Sequence, residues 1–107
     1  MKLTDMKCEA CEGDMPPLNR VEAEVLLKQV PEWKIGEDGK ELQRKFSFKN
    51  FKEALAFGNT VGELAEEEGH HPDMSISWGS VGIVLTTHAI GGLSNNDFIL
   101  ASKIDTL

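Results

Sequence analysis

The spacing of apolar residues predicts a helix near the start of the chain. Asn19 followed by Glu22 has the form of a capping box, in which each side chain pairs with the other residue's backbone N–H. Pro31 disfavours helical geometry at the residue before it and should therefore end the helix at Val30. The positions expected to face the core are Val21, Val25, Leu26 and Val30.

The next segment predicts a β-hairpin. Trp33 and Ile35 alternate with polar neighbours, residues 36–39 (GEDG) have the composition of a turn, and a longer alternating strand follows. The even positions of that strand should face the core, namely Leu42, Arg44, Phe46 and Phe48. The charged head of Arg44 must therefore find water or a partner.

A second, longer helix should begin after Asn50 and end at Gly69, a residue type suited to the left-handed position after a helix. Gly58 and Gly62 lie within it, although each costs about 1 kcal/mol relative to alanine. Close approach of this helix to a sheet would explain them. The apolar stripe of the helix comprises Phe51, Ala54, Leu55, Gly58, Val61, Gly62 and Ala65, with Phe57 and Leu64 on its flank.

A second hairpin and a last helix complete the pattern. Residues 76–78 and the β-branched run 81–88 flank a glycine-serine turn, and Gly91-Gly92 ends the second strand. Ser94 and Asp97 then fit a second capping box. The inward residues of the last helix are expected to be Phe98, Ala101 and Ile104.

The order of helix, two strands, helix, two strands and helix predicts an α+β domain, because hairpins favour antiparallel pairing. We expect one four-stranded antiparallel sheet over residues 18–107, with helices packed on one face. Residues 1–17, which hold Cys8 and Cys11 in a CxxC pattern, are expected to form an irregular N-terminal arm. The open face and at least one edge of the sheet are expected sites of self-association.

Composition restricts the partners of such a domain. The chain has 107 residues, enough for one core, and its formal net charge of −7 argues against nucleic acid or an anionic membrane as a partner. No stretch approaches the roughly 20 apolar residues of a membrane span, and the first ten residues lack the apolar region of a secretory signal. We therefore expect a soluble, cytoplasmic protein.

All three histidines of the chain lie close together in sequence, as His70, His71 and His88. Histidine exchanges protons near neutrality because its unperturbed pKa is about 6.5. The first two follow the end of the second helix and the third ends the last strand, so three imidazoles surround one pocket if these ends meet. The three glutamates at 66–68 are either a solvated helix end or a functional feature, since carboxylates are disfavoured at a helix C-terminus.

The spacing of these residues resembles the signature of the pterin-4a-carbinolamine dehydratases. Its fixed positions are Glu66, His70-His71-Pro72, Trp78, His88 and Asp97. Further segments similar to the family are Leu42–Phe48, Phe51–Phe57, Leu85–His88 and Gly91–Ser94. The resemblance covers about residues 18 to 107 and implies helices on an antiparallel sheet, in homodimers or homotetramers.

The activity that the resemblance implies is dehydration of 4a-hydroxytetrahydropterin to quinonoid dihydropterin, with no metal and no redox cofactor. A general acid protonates the C4a hydroxyl while a base removes a ring-nitrogen proton. On this interpretation His70 and His88 are the general acids, His71 positions the substrate or acts as the base, and Glu66 orients a histidine. The implied setting is tetrahydropterin recycling for an aromatic amino acid hydroxylase such as phenylalanine hydroxylase.

Trp78 and Asp97 each have two interpretations. The resemblance makes both of them, together with Glu66, substrate-binding residues. Trp78 could instead pack across strands beside its turn, and Asp97 could simply be the acidic N3 residue of the last helix. The residue after the third histidine is Ala89, where many family members carry an acidic or polar side chain.

Two other function classes stay open. Animal members of the family also act as dimerisation cofactors of a homeodomain transcription factor, so this chain could be a non-catalytic binding module. A metalloprotein using the histidines is disfavoured by their adjacent pair and by the lack of HExxH-type spacing. Cys8 and Cys11 are too few for a zinc site unless a dimer completes it. They could form a labile disulfide, but we expect a reduced, unbound arm.

Overall fold

The structure is a computed structural model and describes residues 2–9 and 15–107. Its elements are a one-turn 3₁₀ helix at Leu3–Asp5, α1 at Arg20–Leu27, β1 at Lys34–Ile35, β2 at Leu42–Ser47, α2 at Phe51–Glu68, β3 at Asp73–Ser77, β4 at Ser80–Leu85, a second 3₁₀ turn at His88–Ile90 and α3 at Asn95–Ile104. The strands form one antiparallel sheet in the order β1-β2-β4-β3. The predicted α+β fold is confirmed.

The sheet buries one face against the helices and leaves the other open. Along β4, Val81, Ile83 and Leu85 are buried, whereas the residues between them are partly exposed. Trp33 and Phe98 are the largest fully buried side chains of the described residues. None of the helices in the described ranges is long and apolar enough to cross a membrane.

Capping chemistry sets the helix ends, as predicted. Asn19 and Ser94 begin α1 and α3 within complete capping boxes, and the Asn50 side chain accepts a backbone N–H at the start of α2. Gly69 ends α2 with φ of 67°, in the left-handed region that glycine adopts at low cost. The direction in which residues 70 and 71 leave the helix is therefore fixed locally.

The inward face predicted for α1 is wrong in part. The helix ends at Leu27, and Val21 and Val25 are 71% and 57% exposed, while Ala23 is buried. After Leu27 the backbone hydrogen bonds shorten to the i→i+3 type. The buried side of the helix is formed by Ala23, with Leu26 and Leu27 partly buried against the core, and the same helical spacing leads on to the buried Val30.

Arg44 finds its partner at the far end of the chain. Its Nη1 donates to Asp105 Oδ1 over 2.6 Å, and its guanidinium lies 4.2 Å from the centre of the Phe46 ring. The same Asp105 oxygen accepts from Trp33 Nε1 over 2.8 Å. The predicted need of Arg44 for a partner is confirmed.

The second hairpin differs from the prediction at both outer ends. β3 begins at Asp73 rather than residue 76, and β4 ends at Leu85 rather than residue 88. Thr87 bridges to Gly92, with its N–H donating to the Gly92 carbonyl over 2.9 Å, so the chain folds back on itself there. His88 consequently lies in a 3₁₀ turn and not in a strand.

The described part of the N-terminal arm lies against the domain. Leu3 is 2% exposed and belongs to the core, and its N–H donates to Gln29 Oε1 over 3.0 Å. The first 3₁₀ turn packs on α3. The division at residues 17 and 18 stays a prediction, and Cys11 lies outside the described residues.

Two glycines of α2 differ in what an added methyl group would meet. A Cβ at Gly58 would come within 2.7 Å of Ile76 Cδ1, whereas one at Gly62 would meet no described atom within 4 Å. Since alanine is favoured over glycine by about 1 kcal/mol in a helix, Gly62→Ala should raise the free energy of unfolding by about 0.5–1 kcal/mol. Gly58→Ala should gain less or lose stability. Chemical denaturation measures both, and an equal gain at Gly58 would contradict the close approach.

Candidate active site

A cavity of about 260 Å³ lies where the ends of α2 and β4 meet the N-terminal segment. All three histidines line it. Other residues in its walls are Thr87, Ala89 and Asn96. A larger concavity of about 500 Å³ on the open face of the sheet is lined by no histidine. The smaller cavity is therefore the place where proton-exchanging side chains converge.

His70 is the most firmly held of the three imidazoles. Its Nε2 lies 2.6 Å from Asp97 Oδ1, and its side chain is 11% exposed while that of Asp97 is fully buried. A carboxylate accepts hydrogen bonds, so Nε2 carries the hydrogen in this pair. Nδ1 is then the nitrogen of His70 that can exchange a proton with a ligand.

Asp97 itself is held by the start of α3 and the end of β4. Its Oδ2 accepts from the Thr87 hydroxyl over 2.8 Å and from the Ser94 N–H over 3.0 Å. The hydroxyls of Thr87 and Ser94 are 2.7 Å apart. Asp97 therefore performs the capping role and also fixes His70, and because it is fully buried it reaches the cavity through that imidazole.

His71 is held more loosely. Its Nε2 lies 2.9 Å from Glu66 Oε1, but the two side chains are 59% and 79% exposed. An exposed pair of this kind contributes about 0–1 kcal/mol. The imidazole of His71 can therefore move more freely than that of His70.

The three glutamates at the end of α2 have different environments. Glu66 pairs with His71, and Glu67 is exposed. Glu68 accepts from Lys103 Nζ over 2.8 Å and from the Cys8 N–H over 3.1 Å. Burial opposes ionisation of Glu68, but these hydrogen bonds outweigh it and lower its pKa. The run is thus more than a solvated helix end.

Cys8 is poorly suited to nucleophilic or ligand chemistry in this arrangement. Burial, together with the nearby charge of Glu68, raises its pKa to about 12, and its Sγ donates to the Asn96 carbonyl over 3.6 Å. The thiolate is the reactive and metal-binding form of cysteine. Within residues 2–9 and 15–107, no three His, Cys, Asp or Glu side chains are grouped to hold a metal.

Trp78 lies away from the histidines. It lies in the turn between β3 and β4, whereas the histidines lie at the other end of these two strands. Its side chain is 68% exposed. A single chain therefore neither brings its ring to the cavity nor buries it against a neighbouring strand. Its contact with a substrate stays a prediction that a second subunit would have to satisfy.

Three further residues of the site were not foreseen from the sequence: Thr87, Asn96 and Glu9. The capping box of α3 was a signal that could have led to Thr87, because a buried N3 acid needs more than one donor. Nothing in the sequence pattern indicates that Glu9 lines the same cavity as the histidines.

The fold and the cavity together define a small α+β domain with a carboxylate-held histidine at the rim of an antiparallel sheet. The family model described as Pterin 4 alpha carbinolamine dehydratase matches residues 16–107. The chain belongs to this family, as its spaced histidines predicted.

Close relatives agree along nearly the whole chain. A protein of Methylococcus capsulatus is 50% identical over 105 residues, covering 98% of this chain and 92% of the relative. One of Saccharophagus degradans is 53% identical, covering 98% and 95% respectively. Both carry a provisional assignment as pterin-4-alpha-carbinolamine dehydratase.

Solved structures show the same fold. The transcriptional coactivator/pterin dehydratase from Brucella melitensis has a TM-score of 0.79 and 27% identity, with 84% of this chain and 96% of that chain covered. A pterin dehydratase-like protein described as a RuBisCO assembly factor in the alpha-carboxysome has a TM-score of 0.61 and 24% identity, with 70% and 87% covered. The second likeness shows the fold alone.

Proposed function

We propose that this chain is a lyase that dehydrates 4a-hydroxytetrahydropterin to quinonoid dihydropterin. The observation that carries the proposal is the cavity lined by three imidazoles, one of them held by a fully buried carboxylate. Histidine suits proton transfer near neutral pH. Family membership supplies the class of substrate.

In the proposed reaction, a protonated imidazole gives its proton to the C4a hydroxyl, the C4a–O bond breaks and water leaves. A ring-nitrogen proton passes to a base, so that one proton is supplied and one is recovered. His70 and His88 are the proposed acids, and His71 is the base or positions the substrate. Each such group contributes roughly 10²–10⁴ in rate. Because no electrons are transferred, we propose no redox cofactor.

The acidic residues support these imidazoles in the proposed mechanism. Asp97 holds His70 from behind, which orients the ring and stabilises its positive charge when it is protonated. Glu66 does the same for His71 at the surface, with less effect because both side chains are exposed. The proposed setting is cytoplasmic tetrahydropterin recycling for an aromatic amino acid hydroxylase, phenylalanine hydroxylase in particular.

The direct test is a dehydratase assay on the purified chain. The 4a-hydroxy intermediate is generated in solution by a hydroxylase, and the decay of its ultraviolet absorbance is followed with and without this protein. We expect decay well above the uncatalysed rate. A folded protein, verified by circular dichroism, that leaves the decay unchanged would overturn the proposal.

A non-catalytic binding module is the second candidate, because the Brucella neighbour is named both a transcriptional coactivator and a pterin dehydratase. The sheet of this chain has a surface suited to such contacts at strand β3. Substitution of the histidines distinguishes the two proposed functions. Binding of a partner through the sheet edge should survive loss of the histidines, whereas dehydration should not.

We also propose that the chain forms a homodimer or homotetramer through the β3 edge. β3 is an outer strand, and all five of its residues are exposed. Apolar side chains 36–68% exposed lie on and around it, namely Phe51, Leu55, Met74, Ile76 and Trp78. An unpaired edge flanked by apolar surface favours strand addition. Pairing there would also offer Trp78 to a second subunit.

Met74→Lys should weaken this association, because it places a charge on the apolar side of the edge strand. We expect the dissociation constant to rise at least about tenfold, which corresponds to 1.4 kcal/mol. Sedimentation velocity over a concentration series measures it. Ser47→Lys, on the open face of the inner strand β2, is the matched control and should leave the constant unchanged. A monomeric unsubstituted chain at high concentration would contradict the proposed edge.

A further inference from the structure

The N-terminal segment reaches the cavity of the histidines. Glu9 lines it together with His70 and His88. The backbone of Glu9 is held by the side chain of Asn96: the Glu9 N–H donates to Asn96 Oδ1 over 2.9 Å, and Asn96 Nδ2 donates to the Glu9 carbonyl. One amide side chain thus satisfies both backbone groups of Glu9, as a neighbouring strand would.

Further contacts fix the rest of the segment, residues 2–9, which we call the strap. Near its start, Leu3 is buried in the core and donates its N–H to Gln29. Near its end, the Cys8 N–H donates to Glu68, whose other oxygen accepts from Lys103. The strap is therefore attached at both ends.

The attachment points lie close in sequence to the residues that position the imidazoles. Asn96 directly precedes Asp97, which holds His70. Glu68 lies two residues before His70, at the end of the helix from which that imidazole emerges. The strap therefore has a defined position at the cavity that His88 also lines.

We propose that the strap is the third wall of the substrate site, with Asn96 as its positioning residue and Glu9 as the residue that faces the ligand. The inference rests on the proposed function, since it names the pterin as the ligand. The pyrimidine ring of a pterin carries an amino group and a ring N–H side by side, and a carboxylate is the acceptor best suited to such a pair of donors. The strap then acts on binding more than on proton transfer.

Two kinds of substitution distinguish a role of the strap in ligand binding from a role in stability alone. Asn96→Ala removes both contacts to the Glu9 backbone. Glu9→Pro removes the N–H that donates to Asn96 and leaves α3 unaltered, whereas Glu9→Ala keeps that N–H and removes the carboxylate. Asn95→Ala, at the neighbouring exposed position of α3, is the matched control.

We expect Asn96→Ala and Glu9→Pro to raise KM about tenfold with kcat within about threefold of the unsubstituted protein. Titration calorimetry with 7,8-dihydrobiopterin, a stable isomer of the proposed product, should show a matching rise in Kd. Glu9→Ala should weaken binding severalfold, and Asn95→Ala should change neither constant. A merely structural strap would lower Tm and leave KM and Kd unaltered.

The failures of the two proposals are distinguishable. An unsubstituted chain that neither binds 7,8-dihydrobiopterin nor accelerates dehydration overturns the proposed function. An active chain whose KM and Kd are unchanged in Glu9→Pro and Glu9→Ala overturns the strap as a wall and leaves the dehydratase intact. If Asn96→Ala does not fold, the two Glu9 variants decide, because they leave the helix that carries Asp97 unchanged.

Discussion

Replacing His70 by glutamine is expected to lower kcat for the proposed dehydration by about 10²–10³-fold, because a positioned general acid contributes roughly that factor. Glutamine can still donate a hydrogen bond to the buried Asp97, so that carboxylate keeps a partner. It cannot titrate near neutral pH, however. The loss of rate should therefore come with little change in Tm, measured by circular dichroism.

His88→Ala should cause a loss of kcat of similar size, because His88 is the second proposed general acid. The fold should be unaffected, since His88 is exposed and its removal leaves no buried group unpaired. The double variant His70→Gln/His88→Ala should approach the uncatalysed rate. His71→Gln separates the two roles proposed for His71: a loss of about tenfold or less would make it a positioning residue, whereas a loss of about 10²-fold or more would make it the base. Full activity of the double variant would remove histidine acid–base catalysis as the mechanism.

Local sequence signals were sufficient for most of the fold. Both capping boxes, the left-handed Gly69 and the alternation along β2 are decided within a few residues, and each is present in the structure. These signals also agree with one another, which is what allows a pattern to define an architecture. The order of the elements and the antiparallel sheet followed from them.

The structure differs from the sequence prediction where contacts between residues far apart in the chain determine the conformation. The end of β4 depends on the bridge between Thr87 and Gly92, which closes a loop that periodicity does not register. Gly92 also lies against Pro17, where a Cβ would come within 2.8 Å of the proline ring. The inward face of α1 differs because packing on the core selects Ala23, Leu26 and Leu27 over Val21 and Val25, a choice that helical spacing alone does not make.

The strap could not be predicted for the same reason. Its anchoring hydrogen bonds join Cys8 to Glu68 and Glu9 to Asn96, across 60 and 87 residues respectively. An eight-residue segment with no apolar periodicity gives no indication of such contacts. The sequence therefore led to the expectation of an irregular arm, and it gave no sign that residues 2–9 pack on α3 and on the end of α2.

The sequence predicted which histidines form the candidate site but not which side chains are their hydrogen-bond partners. The spacing of the histidines and the resemblance brought His70, His71 and His88 together. The partner of each imidazole required coordinates, since Asp97 lies 27 residues from His70. Capping logic accounted for one oxygen of Asp97 only, and the other oxygen is the one that contacts the imidazole.

Because one oxygen of Asp97 contacts the imidazole and the other caps α3, replacing this residue should affect both catalysis and stability. Alanine there removes the acceptor for Thr87, Ser94 and His70 at once, in a fully buried place. We expect a loss of about 3–5 kcal/mol in the free energy of unfolding. For a domain of this size that is a fall of roughly 10–25 °C in Tm.

Asparagine at the same position should separate catalysis from stability. Its carbonyl oxygen can still accept from Ser94 and Thr87, but its amide nitrogen then donates to His70 Nε2, which must give up its hydrogen. The imidazole is held in the other tautomer and loses the negative charge that stabilises its protonated form. We therefore expect kcat to fall about 10²-fold or more, while the stability loss stays near 1–2 kcal/mol.

Asp105→Asn is the matched control for Asp97→Asn. It makes the same substitution at the other end of α3, on a side chain that also accepts two hydrogen bonds, from Trp33 and Arg44. It should lower Tm slightly and leave kcat unchanged, because Asp105 does not line the cavity of the histidines. If Asp97→Asn retained the full kcat, Asp97 would be a helix cap alone, and the orientation of His70 would have to come from the fold without its carboxylate.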